Sequence, residues 1–163
     1  MKTLLVLRHA KSSWKNVHLS DYERPLNSRG KVDAPRMGKL LRQEDLVPDL
    51  IISSSAERAL ATAEAAALAS GYENEIKATR RLYLAGPVTY LTVLQKMGEA
   101  HERVMIVGHN PGMEDLVALF TGVEEYMSTA ALAQINLPIT RWSELTEETK
   151  GRLVNIWRPK ELP

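Results

Sequence analysis

The 163-residue chain contains no cysteine. Disulfides, thiolate nucleophiles and cysteine-ligated metals are therefore excluded, and a reducing compartment is compatible with the composition. Aromatic residues are scarce, with a single phenylalanine, and no basic stripe is interleaved with them. That argues against a stacking surface for single-stranded nucleic acid. Charge of one sign is also lacking: 21 basic residues face 20 acidic ones, a formal net charge of +1, which gives no electrostatic case for nucleic acid or an anionic membrane. No run of roughly 18 apolar residues occurs, and the opening MKTLLVL reaches Arg8 and His9 too soon for a secretory core. It reads as the first strand of a soluble, cytoplasmic protein, and the length suits one domain with its own core.

Apolar runs then set the architecture. Leu4–Leu7 and Val104–Val107 are short and continuous, the pattern of strands buried on both faces of a parallel sheet. Leu50–Ile52 gives another such strand and Ile76–Leu84 holds a weaker one. Between them lie helical stretches. One is capped by Asn27 or Ser28, with Val32, Met37, Leu40 and Leu41 on its apolar face and Pro35 expected to bend it or move its start. A second runs from Ala56 to Ala69 and stops at Gly71, a third carries Val88, Leu91, Leu94 and Met97, and a fourth carries Met113, Leu116, Val117 and Phe120 before Gly122. Ala131–Leu137 and Arg152–Trp157 look extended and suggest a closing hairpin at one edge. Strands alternating with helices imply right-handed βαβ units and a three-layer α/β/α sandwich, mostly parallel with an antiparallel edge.

The chemistry gathers at strand ends. Arg8-His9 follows the first strand and Gly108-His109 the late one. If these strands are parallel neighbours, both imidazoles emerge where open α/β sheets bind ligands. Arg58 sits one turn into the helix after the second strand. Two guanidiniums and two imidazoles on one cleft suit a phosphoryl group, because arginine forks match its oxygens and a neutral imidazole can attack phosphorus. Two nearby cations favour that neutral form, and a backbone carbonyl in the Lys11–Trp14 loop is the expected holder of the other ring nitrogen.

Taken together, LRHAKSSW, SSSAERALATAEA and VGHNPG resemble the histidine phosphatase superfamily, in the branch of phosphoglycerate mutases and small SixA-like phosphohistidine phosphatases. The DYERPLNSRG segment and the GHNPGMEDL spelling look most like the SixA group, over Lys2 to about Leu137. The resemblance implies a phosphoglycerate mutase-like fold, His9 as a transiently phosphorylated nucleophile, Arg8 and Arg58 on the phosphoryl oxygens, and His109 facing the same group. It also implies no metal and no organic cofactor.

Other residues stay open between two readings. Ser12 matches a small polar position of the motif, though a loop serine more often bonds its own backbone. Arg24 could fold over the pocket from a mobile loop. Amides at Gly112 and Met113 could face the anion or serve ordinary capping. Trp14 could wall the pocket, whereas Trp142 and Trp157 read as packing; Thr129 is equally a site or a strand-entry residue; His18 and His101 receive no role.

The family's esterases and mutases generally carry an acid after the third strand, yet here that stretch is ATRRLYLAGPVT, without Asp or Glu. An alkoxide needs that proton and an imidazole does not, which favours P–N over P–O cleavage. The expected substrate is therefore a histidine-phosphorylated protein. The alternatives are a phosphomonoesterase borrowing Asp21 or Glu23, a non-catalytic phosphate-binding module and, more weakly, a mutase. Glu57 and Glu114 read as solvent-facing helix positions.

Overall fold

A computed structural model describes residues 1–163. Six strands form one sheet: β1 (Lys2–Arg8), β2 (Leu50–Ser54), β3 (Ile76–Thr79), β4 (Arg103–Gly108), β5 (Leu132–Leu137) and β6 (Arg152–Trp157). Their spatial order is β3-β2-β4-β1-β5-β6. β1 to β4 run parallel, and β5 lies antiparallel to both β1 and β6. Four helices, α1 (Ser28–Gln43), α2 (Glu57–Ser70), α3 (Pro87–Gln95) and α4 (Gly112–Thr121), cover the two faces.

The buried runs explain why β1 and β4 are central. Leu4, Val6, Val104 and Ile106 point into one core with α3 and α4, while Leu5, Leu7, Met105 and Val107 point into the other with α1 and α2. Side chains alternate across a strand, so only a continuous apolar run fills both cores at once. The edge strands β3 and β6 are mostly exposed or half-buried, with Lys77, Arg152 and Asn155 keeping those edges polar.

Asn27 caps α1 by accepting from the Gly30 amide at 2.9 Å. α1 passes through Pro35 without a shifted start. Val32, expected on its apolar face, is exposed; the buried face is Ala34, Met37, Leu40 and Leu41, joined by Gly30, Gly38 and Asp33. Asp33 is tolerated there because Arg29 and Arg36 both donate to its carboxylate. Gly38 lets α1 lie directly on α2, since a Cβ there would stand 2.5 Å from the Ala66 carbonyl oxygen. β3 occupies the first part of the Ile76–Leu84 stretch and ends at Thr79, where the Thr79 hydroxyl accepts from the Arg81 amide and opens a turn over Arg80–Leu82. Gly71 and Gly122 close α2 and α4 in the left-handed region.

After β1 the chain turns to α1 on one face, and after β4 it turns to α4 on the other. This divergence opens a crevice at the carboxyl ends of the two strands, where such sheets bind ligands.

Candidate active site

His9 and His109 follow paired positions, because Arg8 lies opposite Gly108 in the parallel register. Their ring centroids are 5.2 Å apart. The backbone of His9 is fixed on both sides: its amide donates to the Gly108 carbonyl and its carbonyl accepts from the Ala130 amide, each at 3.0 Å. Arg8, His9, Arg58 and His109 line one cavity of about 300 Å³, together with Ser12, Trp14, Arg24, Leu84, Asn110 and Thr129. A larger cleft of about 530 Å³ lies between α1 and Trp157, but it holds no histidine, serine or threonine.

The carbonyl that holds the His9 ring is its immediate neighbour's, not one in the Lys11–Trp14 loop: Nδ1 lies 2.7 Å from the Ala10 oxygen. An acceptor there requires the proton on Nδ1, so Nε2 keeps its lone pair. The Ala10 amide in turn donates to Thr62 Oγ1, whose hydroxyl donates to the Arg58 carbonyl. Thr62 thus ties the segment after His9 to the turn of α2 that carries Arg58. Burial drives the His9 pKa down to about 3, with Ala10 opposing and His109, Arg58 and Arg8 adding to the fall. Burial also pushes His109 down to about 4, aided by Arg58 and Arg8 and opposed by Asp21. Both rings are neutral at physiological pH.

His109 Nε2 lies 2.8 Å from Ser54 Oγ. Its Nδ1 is buried without a protein partner, as is Arg8 Nε, although Arg8 also donates to the Met127 carbonyl at 3.1 Å. A buried polar nitrogen without a partner costs roughly 1–3 kcal/mol, and two of them on residues lining one cavity mark it as a place for a polar guest.

Asp21 organises the other cations. Arg58 donates to the Asp21 carbonyl at 2.6 Å and to its carboxylate at 2.9 Å; Arg24 donates to that carboxylate at 2.7 Å; and the Tyr83 hydroxyl donates to it as well. Arg24 is not a mobile flap. It is 7% exposed, bonded also to Ser12 Oγ and the Ser13 carbonyl, and stacked on Trp14. Ser12 therefore bonds Arg24 and not its own backbone. Burial alone would raise the Asp21 carboxyl, but hydrogen bonds from Tyr83, Arg24 and Arg58 hold it well below the usual carboxylate range.

Such a carboxylate cannot supply a proton near neutral pH, which removes Asp21 as a borrowed acid. Glu23 is exposed and engaged with Ser20, Glu57 is exposed, and Glu114 accepts from the Met127 amide. Three amides in the first turn of α4 are also spent: Met113 donates to the His109 carbonyl, Glu114 to Asn110 Oδ1 and Asp115 to the Pro111 carbonyl. Ordinary capping describes them. Trp142 is fully buried as packing and Trp157 is half-buried; His18 and His101 lie outside the cavity. No set of three or more His, Asp or Glu side chains converges as metal ligands would.

Sequence reasoning did not find Ser54, Thr62 and Tyr83, nor Asp21 as an anchor. Ser54 and Thr62 carry one available signal, being polar residues on otherwise apolar buried faces.

The description of the histidine phosphatase superfamily (branch 1) matches residues 4–83. An uncharacterized chloroplastic protein of Arabidopsis thaliana is 28% identical over 152 residues, 88% of this chain and 70% of that protein. The Agrobacterium tumefaciens protein assigned as phosphohistidine phosphatase SixA superposes with a TM-score of 0.83 at 28% identity, covering 97% of this chain and 98% of that one. A protein histidine phosphatase SixA complexed with tungstate gives 0.84 at 20% identity, with 99% of both chains covered, a likeness of fold. No helix is long and apolar enough to cross a membrane. Two arginines and two neutral imidazoles on one cleft, the sequence match over residues 4–83 and the superposition together support a phosphatase of the histidine phosphatase superfamily with the SixA-like fold.

Proposed function

We propose that this phosphatase hydrolyses the P–N bond of phosphohistidine in a protein or peptide, through a phosphoryl group carried transiently on His9. One observation carries the reading. The cavity is lined by His9, whose Nε2 is unprotonated, and by Arg8 and His109, each with one buried nitrogen (Arg8 Nε, His109 Nδ1) that has no protein partner, while every nearby carboxylate is ion-paired, hydrogen-bonded or exposed. The site is equipped to bind and receive a phosphoryl group but not to protonate an alkoxide. The SixA-type relatives point the same way.

In the first step His9 Nε2 forms a bond to phosphorus and the P–N bond to the substrate ring breaks. That ring leaves as neutral imidazole when its other nitrogen carries a proton, so no enzyme acid is required. Arg8 and Arg58 match the equatorial oxygens, with Arg24 beside them, and His109 donates from Nδ1 when Ser54 donates to its Nε2. In the second step water attacks the phosphoryl group and the bond to His9 breaks. His9 also leaves as neutral imidazole, because Nδ1 keeps its proton, hydrogen-bonded to the Ala10 carbonyl, and both protons of the water depart with the phosphate. A histidine-phosphorylated protein as partner and a cytoplasmic setting belong to the same reading.

The test compares a phosphohistidine peptide with a panel of sugar and nucleotide phosphates under matched conditions, and traps the intermediate. Preference for the peptide with an acid-labile, alkali-stable phosphoenzyme is expected. Preference for esters rejects the substrate. Phosphate binding without any phosphoenzyme from any donor indicates a binding module.

A further inference from the structure

Resting on that reading, we propose that Trp14 and Leu84 form a slot that recognises the leaving imidazole ring, and so set the preference for phosphohistidine over other phosphoryl donors. Both line the cavity that holds His9, Arg58 and His109. The arginines serve the phosphoryl oxygens; of the other residues lining the cavity, Ser12, Asn110 and Thr129 are polar, and Trp14 and Leu84 alone offer apolar surface.

Trp14 is 73% exposed even though the Arg24 guanidinium lies 3.2 Å from its ring centroid. One indole face is thus covered and held still, and the opposite face is open. Arg24 is itself fixed by Asp21, Ser12 and Ser13, so the indole is ordered before any substrate arrives. A flat ring bearing partial positive charge, as protonated phosphohistidine does, suits an indole face. A sugar hydroxyl gains little there.

Leu84 supplies an independent observation. Its φ is +51°, a conformation in which a branched, non-glycine residue is strained, and its side chain is 57% exposed. Burial does not explain the choice of leucine at a position that glycine would occupy without strain. Placement of an aliphatic group at the cavity mouth does. The neighbouring Tyr83, bonded to Asp21 and edge-on to His109, holds the segment in that position.

The experiment measures kcat/KM for a phosphohistidine peptide and for phosphoramidate, which has the same P–N bond but no ring, in wild type, Trp14→Ala, Trp14→Phe and Leu84→Gly. The ratio of peptide to phosphoramidate is expected to fall about 3- to 30-fold in Trp14→Ala, chiefly through KM, and to recover in part in Trp14→Phe. In Leu84→Gly the ratio falls while Tm holds or rises. An unchanged ratio, with both donors losing activity together, overturns the slot and leaves Trp14 as a support for Arg24. A wild type that turns over phosphate esters but not the peptide overturns the parent reading, and the slot with it.

Discussion

Acidification from pH 7 to pH 5 should destabilise this protein before its carboxylates begin to titrate. His9 and His109 are buried with pKa values near 3 and 4, whereas an unfolded chain protonates histidine near 6.5. Between those limits the unfolded state binds more protons, so stability falls as pH falls through the window. At pH 5 each ring contributes about 2 kcal/mol of destabilisation, or about 4 kcal/mol for the pair. Against a total of roughly 5–15 kcal/mol this is a large share, and at this chain length it lowers Tm by roughly 8–15 °C. The assay is thermal unfolding across pH 5–7 for wild type and for a His9→Asn, His109→Asn double variant. The double variant should lose most of the slope. Saturating tungstate should flatten the wild-type slope too, because an anion beside the rings favours their protonated forms. A wild-type Tm constant within about 2 °C over that range, or an equal slope in the double variant, would refute the assignment of two neutral buried rings.

Other substitutions separate the parts of the site. His9→Ala should abolish turnover and phosphoenzyme formation while circular dichroism shows an intact fold; full activity would overturn the mechanism. Arg58→Ala should retain a residue of activity, about 10²- to 10³-fold below wild type in single-turnover measurements. Asp21→Asn keeps the shape but not the charge that holds Arg58 and Arg24, and should lower kcat by about 10-fold or more while leaving the shape of the pH–rate profile unchanged. Loss of an alkaline limb would instead make Asp21 a proton donor. Gly38→Ala should cost about 1–3 kcal/mol in denaturant unfolding, because its methyl group would meet the Ala66 carbonyl where α1 lies on α2.

The catalytic-looking strands were legible because their chemistry is local. Leu4–Leu7 and Val104–Val107 announce burial on both faces, and an Arg-His or Gly-His pair at the end of such a run has little choice about where to emerge. Residues that act across the chain were not legible. Asp21 sits in a polar loop beside Glu23, and nothing local distinguishes the one that meets Arg24, Arg58 and Tyr83 from the one that faces solvent. The Ala10 carbonyl has no side-chain signature at all, and of the loop carbonyls expected in its place those of Lys11 and Ser13 accept from the Asn27 amide and the Arg24 guanidinium. Val32 fits the helical period yet lies outside the contact, because close approach to α2 at Gly38 turns the buried face toward Asp33 and Ala34. β3 stops at Thr79 because its side chain competes for the backbone.

His9 is hydrogen-bonded through its own peptide groups to the segments on either side of it, continuing the ladder of the middle strands. The reacting nitrogen is therefore mounted on the hydrogen-bonded frame of the sheet, whereas Trp14 and Arg24 belong to the long excursion between β1 and α1. Grafting a different excursion between residue 11 and residue 26 onto this frame, with Asp21 and Arg24 retained, offers a route to new phosphoryl donors that leaves the attacking atom where it is.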